Sequence, residues 1–200
     1  MLHLKLRQIS FPFKELVELI PDRGKLLDVG CGFGYLLKLL AEKDDKRKLL
    51  GFDISANKIS LGTKLVKPYA NIWLYPAGRN LPRVKVRVIT LIDVLYLLDL
   101  TQKTKLLRQL YNRLDRGGKL LVATVPKDQS WRYYLAWLQE WVMVKGLART
   151  KSAVGVIEFE TRHWLKQQLR QIGFRQVKEY QLPDTLLPWQ KHVVFIATKV

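Results

Sequence analysis

Several absences narrow the possibilities for this chain before any motif is considered. Its 200 residues hold a single cysteine, Cys31, so no disulfide can form within the chain, and a reducing compartment such as the cytoplasm is the expected setting. The histidines are His3, His163 and His192, and no Cys/His cluster has metal-ligand spacing, so no metal site is expected. No apolar run reaches the roughly 20 residues of a membrane span. The opening Met1 to Gln8 alternates leucine with basic or polar residues, unlike a secretion signal. Internal repeats and low-complexity tracts are missing too. Acidic residues are in deficit, 17 against 35 Lys and Arg, which leaves a net charge of +18. That excess predicts attraction to something anionic, either nucleic acid or a lipid surface. What remains is 48% hydrophobic, enough for one globular domain over residues 1–200 with a sizeable core.

The stretch around which the rest is organised runs from Leu26 to Gly34. Leu26 to Val29 reads as a short buried strand carrying one acid, Asp28, and Tyr35 to Ala41 begins a helix. Between them Gly30, Gly32 and Gly34 crowd the turn, with Cys31 as a small residue filling a tight space. Glycine tolerates positive φ and lets a ligand lie against the backbone. The free N–H groups at the helix start favour an electron-rich group there. A dinucleotide fingerprint would be G-x-G-x-x-G, whereas the spacing here is G-x-G-x-G, with an acid two residues before the first glycine.

That pattern resembles motif I of the class I S-adenosylmethionine-dependent methyltransferases, close to D-x-G-x-G-x-G. The resemblance implies that Asp28 helps place the methionine end of the cofactor and that Gly30, Cys31, Gly32 and Gly34 line it. Asp53 closes a second predicted strand, Leu49 to Ser55, about twenty residues on, the separation at which a carboxylate reaches ribose hydroxyls. A carboxylate accepts two such bonds at once and so selects a cis-diol. The family has an acid in this role, and Ile54 beside it joins the expected cofactor set. The segment Ala77 to Pro82 resembles the family's G-D-A-x-x-L-P and adds Gly78 and Arg79. The acid expected to accept the adenine amino group is Ala77 here, which leaves backbone groups or Asn80 for that task.

Further matches follow in order. Ile89 to Leu95 is expected as the fourth strand, with Ile92 at the cofactor and Asp93 at its end, either facing cofactor and substrate or capping a helix from Val94. The family's usual first acid in that strand is replaced by Arg87. Arg116 to Thr124 resembles L-x-P-G-G-x-L-L-I, a turn and a fifth strand. Helix Thr161 to Ile172, Gly173-Phe174 and strand Val177 to Leu182 copy the family's ending, and His192 to Thr198 reads as the last strand, antiparallel to its neighbour. Alternating strands and helices independently argue for an α/β, doubly wound, mostly parallel seven-stranded sheet with helices on both faces. Residues 1–23 form a short N-terminal extension in this reading.

Residues 127–160 are an aromatic and basic insertion, the expected substrate cover. Trp131 to Val144 is apolar except at Arg132, Gln139 and Glu140, and Lys127, Arg132, Lys145, Arg149 and Lys151 flank it. Such a helix suits a membrane interface, with rings at headgroup depth and cations on anionic lipid. The alternative is a helix packed on the sheet, its aromatics in the core or lining a pocket. Trp131, Tyr134, Trp137 and Glu158 are the candidate substrate residues, and either arrangement points to a bulky hydrophobic acceptor. Ala153 to His163 is expected as a loop from which Glu158, Glu160 and His163 could reach an acceptor. Asp93 and His163 are the candidate bases, while His3 and His192 carry no supporting context.

The expected activity is methyl transfer from S-adenosylmethionine to a small hydrophobic acceptor (a lipid, quinone precursor or polyketide-like compound), in the cytoplasm or at a membrane surface. Methylation of RNA or protein would draw on the basic surface. However, Lys and Arg are spread over almost every segment, and Asp93-Val94-Leu95-Tyr96 stands where base-amino enzymes have N-P-P-[YF]. A third alternative, motivated by Ala77 and Arg87, is a non-catalytic binding module on the same fold.

Overall fold

The computed structural model describes residues 10–76, 81, 83–142 and 157–200. The expectations that fall on Met1 to Ile9, Ala77 to Asn80 and the basic residues Lys145, Arg149 and Lys151 lie outside them, as does most of the loop from Ala153. In chain order the elements are α1 (Phe13–Leu19), β1 (Leu26–Val29), α2 (Tyr35–Lys43), β2 (Leu49–Asp53), α3 (Ala56–Val66), β3 (Ile72–Pro76) and β4 (Val86–Ile92). A short 3-10 turn (Leu95–Leu97) is followed by α4 (Leu100–Arg113), β5 (Leu114–Thr124), α5 (Trp131–Trp141), α6 (Arg162–Ile172), β6 (Phe174–Gln181) and β7 (Val193–Lys199).

The seven strands form one sheet in the order β3-β2-β1-β4-β5-β7-β6. β1 to β5 run parallel, and β7 is antiparallel to both β5 and β6. Alternation along the strands divides the core between two faces, as period-2 geometry requires. Leu26, Val88, Ile92, Leu121 and Ile196 meet α1, α2 and α3, while Leu27, Ile89, Leu91, Leu120 and Phe195 meet α4 and α6. A third, smaller cluster of Tyr96, Val125, Ala136 and Phe159 seats α5.

Local chemistry sets most boundaries. Ser55 caps α3 by accepting from the Lys58 N–H, and Asp99 and Gln102 form a reciprocal capping box at α4. Thr161 caps α6, and Gly173 ends it at φ 120°. The fourth strand differs from expectation: it starts at Val86 and stops at Ile92, so Arg87 lies inside it and Leu95 belongs to the 3-10 turn. Val86 pairs with Leu114 and Val88 with Lys119, so residues 115–118 bulge out of β5. Nη1 of Arg87 donates to the Arg116 carbonyl (2.6 Å) and holds that bulge. The sixth strand also starts earlier, at Phe174.

One buried ion pair fastens the chain where it returns after α5. Lys103 of α4 is fully buried, with Nζ 2.9 Å from Oε1 of Glu160, and it donates to the Glu158 carbonyl at 2.6 Å. Burial pushes the Glu160 carboxyl up more than the Lys103 cation pulls it back. Breaking such a pair from one side leaves an uncompensated charge and costs about 3 kcal/mol or more. Lys103→Met is therefore expected to lower stability in urea denaturation by about that much, and Lys103→Met/Glu160→Leu to recover most of it. A raised carboxyl favours the fold below its ordinary value of 4.5 and loses that contribution as pH rises through the folded value. The single variant raises that value further, so its deficit should shrink on acidification, whereas a deficit independent of pH would contradict the assignment.

Candidate active site

In a doubly wound sheet, ligands sit beyond the carboxyl ends of the strands, where strand order reverses. Here that point lies between β1 and β4. The turn after β1 consists of Gly30, Gly32 and Gly34 at φ 78°, 56° and 76°, conformations that strain any residue bearing a Cβ. Gly30 and Cys31 donate their N–H groups to the Phe52 carbonyl (2.7 and 3.1 Å), binding the turn to β2. A Cβ on Gly32 would meet nothing within 4 Å, so this glycine opens onto ligand space and is not needed for packing.

Asp53 completes the turn. Its Oδ2 accepts the Gly32 N–H and its Oδ1 the Ser55 N–H, both at 2.8 Å. An ionised carboxylate has about four acceptor positions, so two remain for a pair of hydroxyls after the backbone has fixed its orientation. Asp28 is buried and accepts the Thr90 hydroxyl at 2.7 Å. A cavity of about 90 Å³ opens among Phe13, Asp28, Gly30, Gly32, Tyr35, Lys58 and Ile92. It has room for about three waters, hence for one end of an extended ligand whose remainder lies along the rim over Asp53. Burial, with repulsion by Asp28 and Asp53, pushes the Cys31 thiol well up, so it stays neutral, which agrees with its reading as a space-filling residue. A larger groove of about 660 Å³ between α4 and α6 has no strand-end residue in its wall and lies apart from the turn.

The structure thus gathers Asp28, the three glycines, Cys31, Asp53 and Ile92 around one rim. Ile54 is exposed beside Asp53, and Gly78 and Arg79 lie outside the described residues. The N-cap of the 3-10 turn after β4 is Val94, one residue past Asp93. Asp93 follows Ile92 with φ 51°, and its Oδ2 lies 3.1 Å from Nε2 of His192, both side chains almost fully buried. His192, expected to have no supporting context, is therefore a site neighbour that sequence reading missed. Its partner lies 99 residues away along the chain, and no local pattern joins them. His163 is exposed on the first turn of α6, and Glu158 lies on the loop before it, near Lys103.

Of the aromatics of α5, Tyr133 packs inward against Phe159, whereas the Trp residues and Tyr134 are exposed. Trp131, Tyr134, Leu135, Leu138, Trp141 and Val142 follow the i, i+3, i+4, i+7 spacing of one helical face, and all are exposed, Trp131 at 62% and Tyr134 at 60%. Trp137 is 37% exposed, whereas Ala136 is the buried residue of the helix. The polar residues point inward instead. Gln139 accepts the Trp189 indole N–H and Glu140 the Tyr96 hydroxyl, both at 2.8 Å. Among the described residues, no group of three or more His, Cys, Asp or Glu could hold a metal ion.

Sheet order, glycine turn and strand-end carboxylates together define the class I methyltransferase fold. The chain belongs to the methyltransferase domain family, whose model matches residues 2–179. Curated proteins give no sequence match. Among solved structures, it resembles an O-methyltransferase family protein from Burkholderia thailandensis (TM-score 0.74, 15% identity, 96% of this chain and 56% of that one). It also resembles the magnesium protoporphyrin IX methyltransferase of Synechocystis PCC 6803, solved with bound S-adenosylhomocysteine (TM-score 0.71, 17% identity, 94% and 82%). A third is the 1,6-didemethyltoxoflavin-N1-methyltransferase of Burkholderia thailandensis, with 1,6-didemethyltoxoflavin and S-adenosylhomocysteine (TM-score 0.70, 13% identity, 96% and 79%). The chain spans about half the length of several of the structures it matches.

The residues present fit an S-adenosyl ligand: an open glycine, a pre-oriented diol-accepting carboxylate, and a cavity for one end beside a buried acid. Two charge-assisted hydrogen bonds at about 1.5 kcal/mol each amount to roughly 100-fold in affinity. Asp53→Ala is expected to weaken S-adenosylhomocysteine by at least about that factor in calorimetric titration. Gly32→Ala should cost the apo fold only about 1–2 kcal/mol for its left-handed backbone, yet abolish binding, because the new methyl enters ligand space. Unchanged affinity in both variants would place the cofactor elsewhere.

Proposed function

We propose that this protein transfers a methyl group from S-adenosylmethionine to a small hydrophobic acceptor drawn from an anionic lipid surface facing a reducing compartment. The observation that carries the acceptor side is the inverted helix α5, whose polar residues hold the body while its Trp and Leu residues and Tyr134 face outward. Monomeric surfaces rarely expose a contiguous apolar patch of this kind without a use for it. Trp and Tyr suit headgroup depth, and a net charge of +18 suits anionic lipid. The small-molecule names borne by the structural neighbours favour a small acceptor over RNA or protein. A basic surface spread over the whole chain fits a lipid plane better than a nucleic-acid track.

The cofactor, when bound, supplies an already activated methyl on a sulfonium. The chain's task is then to hold the reacting atoms in line and exclude water. Asp28 and the glycine turn fix one end of the ligand, Asp53 its ribose, and Phe13 and Tyr35 wall the cavity beside the turn. The α5 segment is the proposed substrate cover. Its inward residues tie down Tyr96 and Trp189, three positions from Asp93 and His192 respectively in sequence, so α5 is fastened to the two loops that bear that pair.

Flotation with phosphatidylserine-rich vesicles tests the surface reading. Wild-type protein should float at low salt and progressively less as salt rises. Trp131→Ser/Leu138→Ser/Trp141→Ser should stay at the bottom while binding S-adenosylhomocysteine normally. Wild-type protein that ignores such vesicles but protects a defined length of RNA would reverse the choice of acceptor. Product release measured over a panel of lipid-soluble phenols and quinols would then name the acceptor class.

A further inference from the structure

Asp93, after β4, and His192, before β7, meet across the carboxyl end of β5, which lies between those two strands in the sheet. Among the described residues, Asp93 is the non-glycine position with positive φ, a conformation costing about 1–2 kcal/mol. The backbone holds it there through the Asp93 N–H, which donates to the Ala123 carbonyl at 2.9 Å. Strain of this kind at a strand end collects at functional sites. The other ring nitrogen of His192, Nδ1, is buried with no hydrogen-bond partner among the described residues, a deficit worth about 1–3 kcal/mol. The edge of Phe11 covers the ring at 4.7 Å between centroids; Phe11 packs on Phe13 at 4.7 Å and Phe13 on Tyr35 at 5.2 Å. Phe13, Tyr35 and Ile92 all line the cavity at the glycine turn. Two rings, Phe11 and then Phe13, thus stand between the imidazole and the ligand space.

We propose that His192 is the general base of the methyl transfer, that Asp93 is its positioning residue, and that the Phe11–Phe13 pair is the cover an acceptor displaces. This rests on the methyltransferase reading above. The Asp93 carboxylate can only accept, so it selects the tautomer with the proton on Nε2 and leaves the Nδ1 lone pair as the proton acceptor. As the acceptor's oxygen bonds to the methyl carbon, its O–H proton passes to Nδ1. The carbon–sulfur bond breaks with its electron pair left on sulfur. The positive charge lost there reappears on the imidazolium, against Asp93. No charge is created or destroyed, and no co-reactant is required. An amine acceptor would give up its N–H proton in the same way.

The tautomer can be read without knowing the acceptor. In protein labelled with ¹⁵N-histidine, long-range ¹H–¹⁵N correlation spectra with bound S-adenosylhomocysteine should show His192 protonated at Nε2 and bare at Nδ1. Asp93→Asn should shift it toward the opposite tautomer. A wild-type ring carrying its proton on Nδ1 overturns the proposal. With an acceptor from the phenol and quinol panel, His192→Gln should lower kcat by at least about 100-fold, with S-adenosylhomocysteine affinity unchanged. Full kcat in that variant also overturns it. Wild-type protein that fails to bind S-adenosylhomocysteine would instead remove the methyltransferase reading itself, which keeps the two failures apart.

Discussion

The arrangement depends on β1 being paired along both edges. Its four residues are all buried, and Val29 pairs with Phe52 of β2 on one side and Leu91 of β4 on the other. That double register brings three strand ends level, so the glycine turn, Asp53 and Asp93 emerge on one rim. Because side chains alternate with a period of two, a slip of one residue between β1 and β4 would turn Asp28 away from Thr90, and a slip in either pairing would put one strand's core residues on the wrong face. Phe52 adds a lock specific to this chain: its carbonyl takes the Gly30 and Cys31 N–H groups together. The turn is thereby fixed to β2 before any ligand arrives, which is the preorganisation that makes binding inexpensive.

The same rim is tied to α5. Tyr96 leaves β4 just past Asp93 and Trp189 precedes His192, and the inward residues of α5 hold both through Glu140 and Gln139. Tyr96 also stacks on Phe159 at 4.6 Å, one residue from Glu160 and its partner Lys103. Helix α5, the loop before α6 and the two loops bearing the Asp93–His192 pair therefore form one hydrogen-bonded and stacked unit. An event at the outer face of α5 has a continuous physical route to the pair, of the packed-side-chain kind through which coupling is carried.

Much of this was legible in the sequence because it rests on local rules. The glycine turn, the acid closing β2 and the Gly173 stop of the final helix are short-range patterns, and the structure has the turn, the acid and the helix end at those residues. The bounds of β4 were misjudged because Arg83 to Val88 alternates charge and apolarity, which mimics a solvated approach to a strand; the register with β5 draws Val86 and Val88 into the sheet. Tertiary pairings left no such trace. Nothing near His192 in the sequence points to Asp93, and nothing near Lys103 points to Glu160. Each gains its role from a partner dozens of residues away. The direction of α5 was also hidden, because an apolar stripe at helical spacing looks the same whether it faces a core or the outside. Two of the three polar residues that interrupt it, Gln139 and Glu140, decide the matter, and their partners, Trp189 and Tyr96, lie in distant loops.

Arg87 raised the possibility of a degenerate cofactor site, since it stands in place of an acid of the family pattern. The structure removes that ground. Arg87 sits near the start of β4, at the opposite end of the strand from Asp93, and its guanidinium clamps the Arg116 carbonyl at the bulge of β5. A charge change there has a packing consequence at the bottom of the sheet and none at the rim. At the rim itself, the open Gly32, the doubly held Asp53 carboxylate and the buried Asp28 are a costly combination for a fold to retain without a ligand. Glycines lose more backbone entropy on folding than other residues, and buried carboxylates are expensive to desolvate. A binding module free of the cofactor would gain stability by relaxing each of them, so their joint presence argues for a working cofactor site.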